Sequence, residues 1–143
     1  MTLNRREFVR VAGCALGGSL LVGCAGQAIQ EVAPRDGALT LSLARYPQLT
    51  RAGGSLKVRP AGTDTTIYVL ALEGGRVAAV SPICTHRGCT VGIEGALLVC
   101  PCHGSTYDRE GRVLRGPAAD PLRAFAATRS STEIVIHLEG SRS

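Results

Sequence analysis

Apolar and polar residues alternate along several short stretches of this chain, and such alternation is typical of β-strands with one buried face. The pattern is clearest over 39–43, where leucines are separated by polar or small residues. The stretch 66–72 is rich in β-branched and apolar residues and is followed by a glycine-containing turn at 73–75, which predicts a hairpin with 76–80. Further strands are predicted over 56–58, 96–99, 112–114, 122–127 and 133–138.

Between residues 38 and 139 no stretch has a convincing helical period, so the predicted fold class is all-β. Two segments rich in Cys and His, 84–89 and 100–105, fall between predicted strands and should form two loops at one end of the fold. The chain has 143 residues, which is enough for one domain. Because Trp is absent and aromatic residues make up only 3%, the core must be filled by Val, Leu, Ile and Ala.

The first 24 residues have the plan of an export signal. Arg5 and Arg6 lie in a polar, basic stretch, and residues 11–26 are apolar and rich in glycine. The segment 4–9 resembles the twin-arginine signal, whose pathway exports folded proteins and suits a cofactor that is inserted in the cytoplasm. The segment 21–24 resembles a bacterial lipobox, in which Cys24 would become the lipidated first residue of the mature chain.

Three outcomes stay open for this leader: lipidation at Cys24, retention as a membrane anchor, or simple cleavage near Ala25 or Ala28. Its sixteen apolar residues are fewer than the roughly 20 that span a bilayer comfortably. We expect a domain that works outside the cytoplasm and is membrane-associated on the periplasmic side. Residues 25–37 are predicted to be a flexible tether to a domain at 38–139.

The charge distribution argues against nucleic-acid binding. The formal net charge is +5, and nearly all the cations are Arg, with Lys57 the single lysine. No basic block and no patch of basic residues interleaved with aromatics occurs in the sequence, so no nucleic-acid partner is predicted.

The two Cys- and His-rich segments contain four candidate metal ligands. Cys84 and His86 lie in the first, and Cys100 and His103 lie in the second, with 13 residues between His86 and Cys100 that leave room for a loop and a strand. Two thiolates and two imidazoles can bind one iron–sulfur cluster asymmetrically, with sulfur on one iron and nitrogen on the other. A structural zinc ion held by the same four residues, or two disulfides, are the alternatives.

The pair Cys-x-His-x-Gly-Cys and Cys-Pro-Cys-His-Gly-Ser resembles the Rieske [2Fe–2S] family in its disulfide-containing form. The resemblance continues into Tyr107-Asp108 and into Gly-Pro-Ala at 116–118, and it covers about 38–139. It implies a Rieske-like antiparallel β-sandwich with a small cluster-binding subdomain made of the two loops. It also implies one [2Fe–2S] cluster per chain, with Cys84 and Cys100 on one iron and His86 and His103 on the solvent-facing iron.

The resemblance assigns roles to four further residues. Cys89 and Cys102 would form a disulfide that ties the loops together, which requires an oxidising compartment. Ser105 would bond a bridging sulfide, and Tyr107 a ligand thiolate. By contrast, His137 lies in a strand pattern and is predicted to be a surface or packing residue.

These features predict an electron carrier and no substrate pocket of its own. Replacing two thiolates by two imidazoles makes the cluster less negative, so Rieske potentials span about −150 to +300 mV against about −400 mV for plant-type ferredoxins. With Ser105 and Tyr107 present, we predict a potential at the high end. Expected partners are a c-type cytochrome, a quinol-oxidising subunit or an oxidase large subunit, within a respiratory or oxidase chain.

Three more specific functions fit the resemblance. The first is the iron–sulfur subunit of a quinol–cytochrome c oxidoreductase. The second is a stand-alone exported carrier, or the small subunit of another exported oxidase such as arsenite oxidase. The third is a ferredoxin that serves an oxygenase. Ferredoxins of that kind are cytoplasmic and usually lack the extra Cys pair. Arg87 stands where quinol-oxidising subunits commonly carry Leu, which weighs against the first function.

Overall fold

The computed structural model describes residues 27–139, and within them the chain forms twelve β-strands and two short 3-10 helices but no α-helix. The all-β prediction is confirmed. The predicted leader, including Cys24, lies outside the described residues. No helix within 27–139 has the length and apolarity needed to cross a bilayer.

Most of the strands overlap the predicted stretches, whereas the strands at 30–32, 92–94 and 106–107 were not predicted. Their bounds are β1 Gln30–Val32, β2 Ala38–Ser42, β3 Ser55–Pro60, β4 Ile67–Ala71, β5 Val77–Val80, β6 Gly92–Glu94, β7 Leu97–Val99, β8 Thr106–Tyr107, β9 Val113–Arg115, β10 Ala124–Phe125, β11 Ala127–Arg129 and β12 Glu133–His137. The 3-10 helices are Pro47–Thr50 and Glu73–Gly75, the second at the predicted hairpin turn.

Three sheets make up the fold. A five-stranded sheet has the order β1-β3-β4-β5-β10, a three-stranded sheet the order β11-β12-β2, and a four-stranded sheet the order β6-β7-β8-β9. All strand pairs are antiparallel except β1 with β3, which is parallel. The four-stranded sheet carries both Cys- and His-rich segments at its ends, so it is the core of the predicted subdomain.

The five-stranded sheet is the middle layer and has a core on each face. Along β4, Ile67 and Val69 pack with β2 and β12 in one core, whereas Tyr68 and Leu70 pack toward the four-stranded sheet in the other. This follows from the two-residue period of a strand, which sends successive side chains to opposite faces. A strand that reads as a continuous apolar run is therefore buried on both sides, and β4 is buried throughout.

Two sequence predictions need correction. Within the segment predicted as a flexible tether, 25–37, residues Gln30–Val32 form β1 and pair with Val58–Pro60 of β3. Three residues are too few to show a clear alternation of apolar and polar positions. They form a strand because the edge of β3 offers backbone groups with which they pair. The single strand predicted over 122–127 is instead divided between β10 and β11, because the chain passes from the five-stranded to the three-stranded sheet at Ala126.

Candidate metal centre

The two Cys- and His-rich segments fold into loops with the same backbone hydrogen bonds. In loop 1, residues 84–89, the Cys84 N–H donates to the Cys89 carbonyl (2.8 Å) and the Gly88 N–H donates to the Cys84 carbonyl (2.9 Å). In loop 2, residues 100–105, the Cys100 N–H donates to the Ser105 carbonyl (2.8 Å) and the Gly104 N–H to the Cys100 carbonyl (3.0 Å). Both glycines have φ of 79°, a conformation that favours glycine. Each loop therefore closes tightly after its Cys and presents its His at the rim.

Cys84 and Cys100 are buried, free cysteines. Each is 2% exposed, and both belong to the core beneath the loops together with Leu98 and Tyr107. Cys100 directly follows β7, whereas Cys84 lies four residues after β5 and next to the bridge between Ile83 and Thr90. Because these two thiols are not joined to any cysteine of the described residues, the alternative of two disulfides is wrong.

His86 and His103 meet at the outer side of the loops. Their ring centroids are 4.9 Å apart and the ring planes are perpendicular. His86 is half-buried and His103 is exposed, so both imidazoles reach the surface above the buried thiols. His137 is exposed at the end of β12 in the three-stranded sheet, away from the loops.

A disulfide joins Cys89 of loop 1 to Cys102 of loop 2, which confirms the predicted pairing. The Sγ atoms of Cys89, Cys100 and Cys102 lie within 4.8 Å of one another. Because two of these sulfurs are consumed by the disulfide, only Cys100 of the three has a thiol to offer a metal. The crosslink fixes one loop against the other across 13 residues of sequence.

The buried hydroxyl of Tyr107 is aimed at loop 1. Its Oη lies 3.3 Å from the Cys84 Sγ, and it accepts a hydrogen bond from the Thr85 N–H at 3.3 Å. Burial raises the pKa of Tyr107, and the hydrogen bond with Cys84 raises it further. Tyr107 is thus a neutral hydrogen-bond donor near the Cys84 sulfur.

The Cys84 thiol is held in a setting that favours its thiolate. Burial alone raises the pKa of Cys84, but hydrogen bonds from Tyr107, from the His86 backbone and from the Cys100 and Ser105 side chains together bring it below its usual value. Metals bind the thiolate form of Cys, so this surrounding suits a ligand.

A third segment, 116–122, closes over both loops. It begins at the cis Gly116–Pro117 bond, and its Ala118 N–H donates to Ser105 Oγ at 3.0 Å. Since the fully buried Ser105 hydroxyl accepts this bond, its own proton is left to donate toward the Cys84 sulfur. The predicted Gly-Pro-Ala segment therefore supports the site through Ser105.

Sequence reasoning missed Thr85. Its Oγ1 donates to the Asp120 carbonyl at 2.7 Å and lies 3.1 Å from Tyr107 Oη, so it links loop 1, Tyr107 and the third segment. The sequence signal was a hydroxyl residue between the two candidate ligands of loop 1, with nothing to show what it touches.

The four candidate donors fit a [2Fe–2S] cluster. Two buried thiols face inward and two imidazoles lie on the solvent side, which is the asymmetry of sulfur and nitrogen ligation that such a cluster takes when it has two His ligands. The Ser105 and Tyr107 hydroxyls add donors directed at the sulfur end.

Comparison with known proteins gives the same family. A family model described as Rieske [2Fe-2S] domain matches residues 42–126. The cytochrome b6-f complex iron-sulfur subunit of Chlorobaculum tepidum is 29% identical over 139 residues, which cover 94% of this chain and 76% of that protein. The corresponding subunit of Prochlorococcus marinus (strain AS9601) is 42% identical over 72 residues, covering 48% of this chain and only 40% of that protein.

Solved structures, one of them of a Rieske protein, are also similar to this chain. The cyanobacterial plasma membrane Rieske protein of Synechocystis PCC 6803 has a TM-score of 0.52 and 35% identity, covering 58% of this chain and 85% of that one. A chain from the complex of oxygenase and ferredoxin in carbazole 1,9a-dioxygenase has a TM-score of 0.59 with 20% identity, covering 76% of this chain and 100% of that one. At that identity the second likeness concerns the fold alone.

Proposed function

The chain belongs to the Rieske [2Fe–2S] family, and from this premise we propose that it is an exported, membrane-associated carrier of single electrons. The observation that carries the proposal is the pair of buried thiols beneath a pair of surface imidazoles. A redox centre so placed is insulated on its sulfur side and open to a partner on its nitrogen side.

We assign Cys84 and Cys100 to the inner iron of the [2Fe–2S] cluster and His86 and His103 to the outer one. The bound cluster supplies one-electron chemistry at a potential that its ligands and hydrogen bonds set. The protein holds the thiols in the core, keeps water from them and offers protons from Ser105 and Tyr107 to the sulfur atoms. The imidazoles at the surface provide the short path to a docked partner.

A subunit of a quinol-oxidising cytochrome complex is the second candidate. The relatives named as cytochrome b6-f iron-sulfur subunits favour it, and they suggest a quinol-oxidising subunit and a cytochrome as partners. The exposed Arg87 next to His86 favours instead an acidic partner surface. Copurification of a b-type cytochrome with the chain from detergent-solubilised membranes would support the complex, and its absence the free carrier.

Electron paramagnetic resonance of the dithionite-reduced chain tests the proposal directly. We expect the rhombic signal of a [2Fe–2S] centre with mixed nitrogen and sulfur ligation, and a midpoint potential within the Rieske range of about −150 to +300 mV, toward its upper end. A colourless protein that contains stoichiometric zinc would contradict the proposal.

Removing the two hydroxyl donors should lower the midpoint potential. In Ser105→Ala and Tyr107→Phe, the reduced and more negative cluster loses a hydrogen bond that stabilises it more than the oxidised form. Each loss should be on the order of tens of millivolts, since a tenfold change in a one-electron equilibrium corresponds to about 59 mV. Voltammetry measures the shift, and an unmoved potential in both variants would refute the assigned roles.

Removing the Thr85 hydroxyl should raise the midpoint potential. Thr85 gives its proton to the Asp120 carbonyl, so its Oγ1 competes with the Cys84 sulfur for the single proton of Tyr107. In Thr85→Val the sulfur is the remaining acceptor, whereas Thr85→Ser retains the competition and serves as the control. The shift should vanish in a Tyr107→Phe background, and a shift that persists there would exclude this route.

A further inference from the structure

A groove of about 760 Å³ lies beside loop 1, on the part of the five-stranded sheet that the four-stranded sheet leaves uncovered. One wall is formed by Ile29, ahead of β1, and by Lys57 of β3. The other is formed by Pro82 and Ile83, which lead into loop 1. Ile29 and Ile83 are 43% and 49% exposed, and they are two of the four large hydrophobic side chains that stay exposed among residues 27–139. The groove therefore presents apolar side chains to solvent on both walls.

Lys57 and Arg123 are the two cationic residues that line the groove. The Lys57 ammonium lies 5.3 Å from the centre of the Tyr68 ring, and the Arg123 guanidinium lies 5.0 Å from that of Phe125. Neither cation has a salt-bridge partner within the described part of the chain, and Asp64 is the one carboxylate on the groove walls. Exposed apolar side chains beside long cationic ones are the composition that favours the boundary between lipid headgroups and acyl chains.

The groove also lies where the described chain begins. Gln27 lines it, and the Gln27 Oε1 accepts a hydrogen bond from Ser55 Oγ at 3.2 Å. From Gln30 onward the chain is held in β1 against β3. Cys24, the candidate lipidation site, is three residues before Gln27, a distance of about 10 Å for a fully extended chain. An anchor at Cys24, or one that ends near residue 26, leaves little slack between this face and the bilayer.

We propose that this groove is a membrane-contact surface. Lys57 and Arg123 bind the phosphates of anionic lipids, and Ile29 and Ile83 enter the interfacial layer. The inference rests on the proposed membrane association and deepens it, because it fixes how the anchored domain is oriented. As Ile83 directly precedes Cys84, loop 1 then lies close to the bilayer surface, within reach of a membrane-embedded electron partner.

The absence of tryptophan from the chain permits a direct test. The full chain, processed by its host and carrying its cluster, is placed in vesicles of phosphatidylcholine and phosphatidylglycerol that contain brominated lipid. We expect strong fluorescence quenching of the Ile29→Trp variant. The matched control is Leu97→Trp, at a site of similar exposure (38%) outside the groove, and it should not be quenched. The visible spectrum of the cluster reports that each variant is folded.

Charge removal and chemical labelling complete the test. Adding Lys57→Gln and Arg123→Gln to Ile29→Trp should weaken its quenching several-fold on anionic vesicles and change little on phosphatidylcholine alone. In the unsubstituted chain Lys57 is the only lysine, so its acylation, followed by mass spectrometry, should slow several-fold on anionic vesicles relative to neutral ones.

Vesicle flotation separates the two levels of the proposal. The chain could float with vesicles and still show equal quenching at both tryptophan positions and equal Lys57 acylation on both lipids. This result would overturn the groove assignment and leave membrane anchoring intact. A partner protein or the preceding segment of the chain would then be the remaining candidate occupants of the groove. A chain that does not float would overturn both the anchoring and the groove assignment, while its cluster signal still tests electron transfer.

Discussion

Replacing His103 by serine should abolish the cluster. His103 is exposed at the rim of loop 2, with its ring 4.9 Å from that of His86, so its substitution removes a metal ligand without opening a cavity in the core. We expect the His103→Ser chain to purify with iron near background and without the visible and electron paramagnetic resonance signals of the cluster. His86→Ser should behave in the same way, because the outer iron needs both imidazoles.

The third histidine of the chain provides the control. His137 is exposed at the end of β12 and should tolerate His137→Ser with full iron content and an unchanged midpoint potential. Equal iron in the His103 and His137 variants would remove His103 from the ligand set. A cluster signal that survives with altered g values would instead mean that another side chain had replaced the imidazole.

The sequence was most informative where chemistry restricts the choice of residue. The Cys and His spacing of loops 1 and 2 predicted the candidate donors, and the structure brings the two imidazoles together above two buried thiols. The alternation of apolar residues predicted β2, which has one face in a core, and the continuous apolar, β-branched run predicted β4, which is buried on both faces. At the metal ligands and in these strands, the residue types that the local sequence pattern contains are also the types that the folded environment needs.

Elsewhere the decisive contacts lie far apart in sequence. β1 was missed because its three residues gain order from the edge of β3, nearly thirty positions away. Thr85 was missed because its partner is the Asp120 carbonyl, 35 residues later in the sequence. The motif alone does not distinguish a hydroxyl that makes such a contact from one that faces solvent. The groove beside loop 1 depends on which part of a sheet face the next layer leaves bare, and a strand pattern does not contain this information.

Removing the disulfide should weaken the retention of the cluster without removing a ligand. In Cys89→Ser/Cys102→Ser, each loop keeps its own backbone hydrogen bonds, but nothing covalent holds His86 against His103. Closing a loop of this length, with a sequence separation of 13 between its ends, is worth about 3 kcal/mol in chain entropy. Only part of this free energy enters the barrier to opening, so we expect the cluster to be lost in denaturant about tenfold faster or more.

Bleaching of the visible absorbance in guanidinium measures this rate, and a rate is the appropriate quantity because loss of the cluster is irreversible. The double variant should start with a cluster and a spectrum close to those of the unsubstituted chain, in contrast to His103→Ser, which should have neither. Cys100→Ser is the matched control: it changes a buried thiol instead of the crosslink and should abolish binding outright. If the double variant bleached at the unsubstituted rate, the two loops would be held together by the backbone and the 116–122 segment alone. If it never acquired a cluster, the crosslink would be needed for assembly of the site and not only for retention of the cluster.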